Sequence, residues 1–486
     1  MTEFSPGQTM LTLALLASRG FWDPAKNNQP GLGGAITAGL ESLPPVRNQW
    51  QLVWGPGTYR YLGSAFDSSM MFVVQHSTQP QRYAIVVRGT NPVALFDWLL
   101  GDFLGHRQVP WHTSKEDIAP GAALSLSTAL GLKILLSMRA ANDPGQVAEP
   151  GRFDLLLERS AATLARTRQA GGDSLAKVGE AMADSTLGST MEKTRKLLKK
   201  ILKYQQLWNA TGGFTSSVGA TVGELLRIED IVSILKVRKR LISSLDRTLE
   251  TQAEAPTAIL MPTPEELQSQ QSPGIGLLEL LRNLANTHGD ALELFVTGHS
   301  KGGALAPALA LFLSDTQSNG EHPIPDYYQW NPEHRARIHC YAFAGPTPGN
   351  TDFARYFNRQ LGRDFYRYSN GLDIVTLAWH SEQLRTAAGL YGQTAGSPPG
   401  LDLLFSEMAD EVEALDYCHP GEDYPDPKGG AGRLEKHVIQ FESPLQGDTS
   451  SYLLQELHQH IEAYIAFLGL DKVMSLKQLL GASKPG

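Results

Sequence analysis

Cysteine is scarce in this chain: 486 residues hold only two, Cys340 and Cys418. A disulfide framework and a cysteine-rich metal cluster are therefore excluded, and the apolar run around Cys340 makes it a small residue of a buried strand. Positive charge is not in surplus either. Lys+Arg number 42 against 50 Asp+Glu, a formal charge of −8 with a pI near 5.9, the reverse of the basic surface that a general nucleic-acid binder needs. Nucleic acid is not an expected partner. The opening MTEFSPGQTMLTLALLASRGF carries Glu3 where a signal peptide needs basic residues, and its apolar run is short; it is read as the first helix of the fold. Long hydrophobic spans are missing too. The most apolar stretch, GAALSLSTALGLKILLSM (121–138), contains Lys133 and several hydroxyl groups and barely reaches bilayer length, so it is read as a buried helix. With neither a leader nor a clear transmembrane helix, the chain is expected to be cytoplasmic, or exported by a route that uses no N-terminal signal.

What is present is a globular composition, 42% hydrophobic and 19% charged, in a chain long enough for two or three units of about 150 residues each. Short β-rich runs mark strands at 71–76, 83–88, 292–297, 338–343 and 364–368. Helical stretches lie between several of them, notably at 276–287 and 302–314. Strands alternating with helices predict a mostly parallel sheet covered on both faces. From about 145 to 260 the rhythm changes: no convincing strand occurs, while leucines recur at helical spacing. That stretch holds 17 Lys+Arg against 13 Asp+Glu, a net of +4 that leaves −12 for the remainder. The expected organisation is a split α/β unit, 1–144 and 261–486, with a helical insertion at 145–260. Proline and glycine cluster at 141–151, 262–274 and 419–432, marking flexible joints.

The stretch LFVTGHSKGGALAPALA (294–310) holds the chemistry. Gly298-His299-Ser300-Lys301-Gly302 fits G-x-S-x-G, a weak signal alone, but here β-formers precede it and a helix-forming run follows. That strand–turn–helix setting is the nucleophile elbow, which presents a serine hydroxyl at the end of a sheet. A serine needs a histidine base oriented by a carboxylate, and the order Ser, Asp, His is available downstream: RYSNGLDIVTLAW (367–379) offers Asp373, and HQHIEAYIAFLG (458–469) offers His458 and His460.

Four stretches together resemble one family. AIVVRGTNPVALFDWLLGDF, VTGHSKGGALA, CYAFAGPTPGN and YRYSNGLDIV are similar, in order, to the R-G-T…D-W segment, the elbow, the F-x-x-P-x-x-G-N turn and the N-x-x-D-I-V acid loop of class 3 lipases, the fungal-lipase-like branch of the α/β-hydrolases. The resemblance implies an α/β-hydrolase fold and a serine esterase acting on lipid acyl esters of triacylglycerol or phospholipid type, a phospholipase A included, with neither cofactor nor metal. It makes Ser300 the nucleophile and Asp373 the acid. Thr90 matches the residue that helps form the oxyanion hole, and the N–H of Lys301 would supply the second donor, Lys301 standing where leucine is usual. For the base, His460 is favoured over His458 because it lies nearest the helix start, with His437 a third candidate. Arg88, Asp97, Trp98 and Asp102 are read as structural, Pro346 and Asn350 as shaping a turn, and His299 as a packing or hydrogen-bonding residue.

The insertion contains MEKTRKLLKKILKYQQLW (191–208). On a helix this places Leu197, Leu198, Ile201, Leu202, Gln205 and Trp208 along one stripe, with Lys196, Lys199, Lys200 and Lys203 around it. An apolar face framed by lysines suits a helix lying in a lipid surface, so the insertion is a candidate lid making transient membrane contact. The competing function class is a catalytically silent hydrolase-fold module that binds a membrane or partner. The intact serine, aspartate and glycine pattern favours the enzyme.

Overall fold

The computed structural model describes residues 3–19, 29–59, 69–89, 105–111, 118–140, 274–317, 327–421, 438–447 and 452–481. Thr90, Asp97, Trp98, Asp102, His437, the boundaries of the 145–260 insertion and its Lys196, Lys199, Lys200, Lys203 and Trp208 lie outside the described residues.

A seven-stranded sheet runs through the described residues. Its strands in chain order are β1 (Trp50–Tyr59), β2 (Ser69–His76), β3 (Arg82–Val87), β4 (Glu293–His299), β5 (Arg337–Phe343), β6 (Phe365–Asn370) and β7 (Val438–Phe441), and their order in space is the same. The five strands from β3 to β7 are parallel neighbours, whereas β1 and β2 join antiparallel at one edge. The five strands expected from the sequence are all present within two residues. β1 and β7 were not expected. β1 carries Trp54-Gly55-Pro56-Gly57, a breaker sequence on its face, and it tolerates this because it is an edge strand whose register shifts between Leu52 and Trp54 and again between Trp54 and Gly57.

Side-chain alternation along the strands divides the core in two. Met71, Val73, Ile85, Val87, Leu294 and Val296 point to one face, where helices Leu126–Ser137, Leu277–His288, Lys301–Asp315 and Thr351–Leu361 cover them. Phe72, Val74, Ala84 and Val86 point to the other, against helices Pro6–Leu16 and Gln29–Ser42 and the segment around Ile461, Tyr464 and Ile465. The N-terminal segment is thus a buried helix, started by a Ser5–Gln8 capping box, and Leu126–Ser137 within 121–138 is a buried helix of the core. Among the described residues no helix is long and apolar enough to cross a membrane. Cys340 is buried in β5. A third apolar cluster, built by residues 374–457, forms a helical layer next to the carboxyl ends of the strands.

Candidate active site

Strand β4 sits between β3 and β5 in the sheet, and Ser300 follows directly on its last residue. The serine has φ 62° and ψ −129°, a backbone conformation that side chains other than glycine rarely adopt and that tends to mark functional positions. Its N–H donates to the Phe343 carbonyl at 3.0 Å, and its carbonyl accepts from Gly303 N–H at 2.7 Å. These bonds hold the turn while helix Lys301–Asp315 starts at the next residue. The two motif glycines answer a steric demand: a Cβ on Gly298 would lie 2.2 Å from the Gly302 carbonyl oxygen, and one on Gly302 would lie 2.4 Å from that of Val87. The turn is too tight for a side chain at either position.

Asp373 lies three residues beyond β6, in the loop that the Asn370 side chain organises. Asn370 Nδ2 donates to the carbonyl and the side-chain oxygen of Gln459, and its Oδ1 accepts from the N–H groups of Leu372 and Ser443. Asn370 therefore ties the acid loop to the segment that carries the histidines, which accounts for its place in the N-x-x-D pattern. Asp373 caps the short helix Ile374–Leu377, accepting from Val375 N–H at 2.9 Å, and is fully buried.

The two histidines of HQHIE diverge. His460 Nδ1 lies 3.0 Å from both carboxylate oxygens of Asp373, while His458 turns away to Glu462 Oε2, 2.9 Å from its Nδ1, and to Gln446 Nε2, 3.0 Å from its Nε2. The segment His458–Glu462 is one π-helical turn, a local widening frequent at functional sites. Because Nδ1–H is the atom that can donate to a carboxylate, the Asp373 contact fixes the tautomer and leaves Nε2 with a lone pair. Burial pushes His460 down to about 3 from the ordinary value of 6.5, so its imidazole rests neutral.

Residues that pattern reading did not assign complete the surroundings. Tyr464 donates its O–H to Asp373 Oδ2 at 2.8 Å and accepts from Asn370 N–H. Glu456, on helix Tyr452–Leu457, accepts from Ile374 N–H at 3.1 Å and from the Tyr391 hydroxyl. Burial raises both phenols well above 10, so they remain donors. His299, read from the sequence as a packing or hydrogen-bonding residue, donates from Nε2 to the His460 carbonyl at 2.8 Å, with the two rings 4.7 Å apart. Asn350 caps helix Thr351–Leu361 and braces a turn through Gly121 and Ala123, and Arg88 is buried beside Met70. Of those not assigned in advance, Glu456 and Tyr464 each left a sequence signal, standing four residues before and after the histidine, a spacing that helical periodicity could have flagged.

Asp373, Glu456 and His460 bring one oxygen or nitrogen each within 4.8 Å of one another. Such a trio has the composition of a metal site. Most of its oxygens are already engaged with chain donors, however: Asp373 accepts from Val375, Tyr464 and His460, and Glu456 Oε2 from Ile374 and Tyr391. The arrangement is a hydrogen-bonded array.

Beside the elbow a small cleft, with a volume of about 20 Å³, is lined by Thr128, Lys301, Ala304, Leu305, Pro346 and Trp379. Trp379 has φ 73°, strained for an aromatic residue, and the preceding Ala378 carbonyl is gripped by the N–H and hydroxyl of Thr347.

Residues 266–381 match the family model of class 3 lipases. The match takes in the elbow strand, Ser300, its helix and Asp373. Among solved structures, the crystal structure of M37 lipase is similar over 98% of this chain and 96% of that one, with 21% identity and a TM-score of 0.59, and with the parallel sheet and its helical layers it establishes the α/β-hydrolase fold. A mutant of MDLA from Penicillium cyclopium aligns over the same shares at 11% identity, but its TM-score of 0.31 is too low to bear on the fold. No curated protein matches the sequence.

Proposed function

We propose that this protein, whose residues 266–381 match the family model of class 3 lipases, is a serine carboxylic-ester hydrolase that cleaves acyl esters of lipids through Ser300, His460 and Asp373. Ser300 Oγ attacks the ester carbonyl carbon as His460 Nε2 takes its proton. The tetrahedral intermediate collapses with loss of the alcohol, which receives that proton, and an acyl-enzyme remains. Water, activated in turn by His460, releases the fatty acid and restores the serine. Asp373 holds the Nδ1–H tautomer and stabilises the imidazolium in both halves of the reaction.

The developing oxyanion lies at the start of helix Lys301–Asp315, where the Lys301 N–H and the positive end of the helix dipole favour negative charge. Thr90 would supply the second donor, each donor being worth about 3–4 kcal/mol. The cleft walled by Ala304, Leu305, Pro346 and Trp379 is offered as the mouth of the acyl site, since its lining is mainly apolar and Ala304 and Leu305 lie on the first turns of the serine's own helix. The 145–260 insertion is proposed as a lid and lipid-surface element, supported by the lysine-framed stripe at 196–208.

The observation that carries this reading is the contact of His460 Nδ1 with both Asp373 oxygens, made in the layer next to a serine held in a strained elbow. The test is covalent labelling by a fluorophosphonate together with hydrolysis of a short-chain nitrophenyl ester. Wild-type protein should react with both, and Ser300→Ala should lose labelling and roughly 10⁶-fold of the turnover. Activity unchanged in Ser300→Ala would overturn the assignment.

A further inference from the structure

Among the described residues, Glu456 is the one buried carboxyl group beside the site for which the reaction above has no use. It is 2% exposed, Asp373 is 0% exposed, and a carboxyl oxygen of one lies within 4.8 Å of a carboxyl oxygen of the other. Two adjacent anions cannot both be kept from water without severe repulsion, so a pair buried this closely holds one proton.

Their other partners decide which one is protonated. Asp373 receives the Val375 N–H, the Tyr464 O–H and the His460 Nδ1–H, and three donors stabilise its anion. Glu456 receives the Ile374 N–H and the Tyr391 O–H on Oε2 alone, while its buried Oε1 meets no donor among the described residues. An oxygen without donors is the natural seat of a hydroxyl. The titratable groups facing Glu456 are Asp373, His460, Tyr391, Tyr452 and Tyr464, and none of them brings a resting positive charge.

We propose that Glu456 is a positioning residue: a neutral carboxylic acid that donates its proton to Asp373, so that the acid partner of His460 is an Asp–Glu pair with one negative charge. Burial and the adjacent Asp373 charge both push the Glu456 carboxyl well above its ordinary range, in keeping with this. The extra donor orients the Asp373 carboxylate toward Nδ1 and tempers its charge. Taking the donor away concentrates that charge on His460, makes the imidazole more basic and moves the acid limb of the rate profile to higher pH.

The inference rests on the proposed roles of Ser300, His460 and Asp373, and the experiment keeps the two apart. Wild type, Ser300→Ala, Glu456→Gln and Glu456→Leu are compared by the pH dependence of kcat/KM on a soluble ester. Glu456→Gln retains an N–H donor for Asp373 and an oxygen for Ile374 and Tyr391, and it should stay within about threefold of wild type with the same acid limb. Glu456→Leu should lose about 10²-fold in kcat, with KM little changed and the acid limb shifted upward. An unshifted limb in Glu456→Leu, or a loss in Glu456→Gln as large as in Glu456→Leu, would overturn the proposal while leaving an inactive Ser300→Ala and the triad intact. Should the leucine variant not fold, infrared difference spectra decide: the C=O stretch of a protonated carboxylic acid must be present at neutral pH in wild type and missing from Glu456→Gln. Its presence in both would overturn the assignment.

Discussion

The two halves of the site are made in opposite ways. The nucleophile half is contiguous: strand, serine and helix follow one another within 293–315, and each constraint on the turn comes from a neighbour in sequence or from an adjacent strand. The base half is assembled from four separated places, Asn370 and Asp373, Tyr391, Glu456, and the π-turn with Tyr464, and is joined by side-chain hydrogen bonds across up to 94 residues. A contiguous device writes itself into a short motif. An assembled one is visible only in space.

The sharpest test of that contrast is the choice of base. His460→Ala should cut kcat/KM by about 10⁴-fold or more, while His458→Ala, which loses contacts to Glu462 and Gln446, should retain activity within about threefold once folding is checked by circular dichroism. The reverse result would transfer the role to His458.

The insertion offers a pattern as locally legible as the elbow, and it asks whether legibility alone implies function. Replacing Lys196, Lys199, Lys200 and Lys203 together with glutamine should weaken binding to anionic vesicles by up to about 4 kcal/mol, at about 1 kcal/mol per lysine, and lower activity on aggregated lipid but not on a soluble ester. Vesicle co-sedimentation measures it, and unchanged binding would make the helix structural.

The glycines test the rigidity of the contiguous half. Gly298→Ala would force a Cβ onto the Gly302 backbone, and a clash with backbone rather than with a flexible side chain should cost about 3 kcal/mol of unfolding free energy, read by urea titration. A neutral result would mean that the elbow can relax.

The smallest effect expected is on pH. A base acts only when unprotonated, so a lowered pKa preserves activity into acid. With burial holding His460 down to about 3, the acid limb of kcat/KM should fall well below the ordinary imidazole value of 6.5. A limb at 6.5 would mean that the Asp373 partnership offsets the burial.

This contrast also explains what could be read in advance. Strands β2 to β6 and the helices Leu277–His288 and Lys301–Asp315 on either side of β4 were legible because apolar β-branched runs and helical periodicity are local. β1 was hidden by Gly55, Pro56 and Gly57, which only an edge strand with shifted register can accept. Ser300, Asp373 and His460 could be named from motifs. Glu456 and Tyr464 could not be linked to Asp373, because nothing in their neighbourhoods announces a partner 83 or 91 positions back along the chain. The cap formed by His299 on the His460 carbonyl was equally invisible.

That His299–His460 bond has a consequence for biogenesis. The serine leaves the ribosome 160 positions before the histidine whose carbonyl its neighbour grips, which at about 5–20 residues per second amounts to on the order of 10–30 s. Throughout that interval the elbow can close on β3 and helix Lys301–Asp315 can dock, yet no base stands beside the hydroxyl. Residues 452–467 then seat against a surface that already includes helix Pro6–Leu16, whose Met10 carbonyl accepts from Thr297 behind the elbow strand and whose Gln8 side chain donates to the Leu468 carbonyl. On the proposed roles of Ser300 and His460, a nascent chain carries a silent serine until residues 452–467 dock.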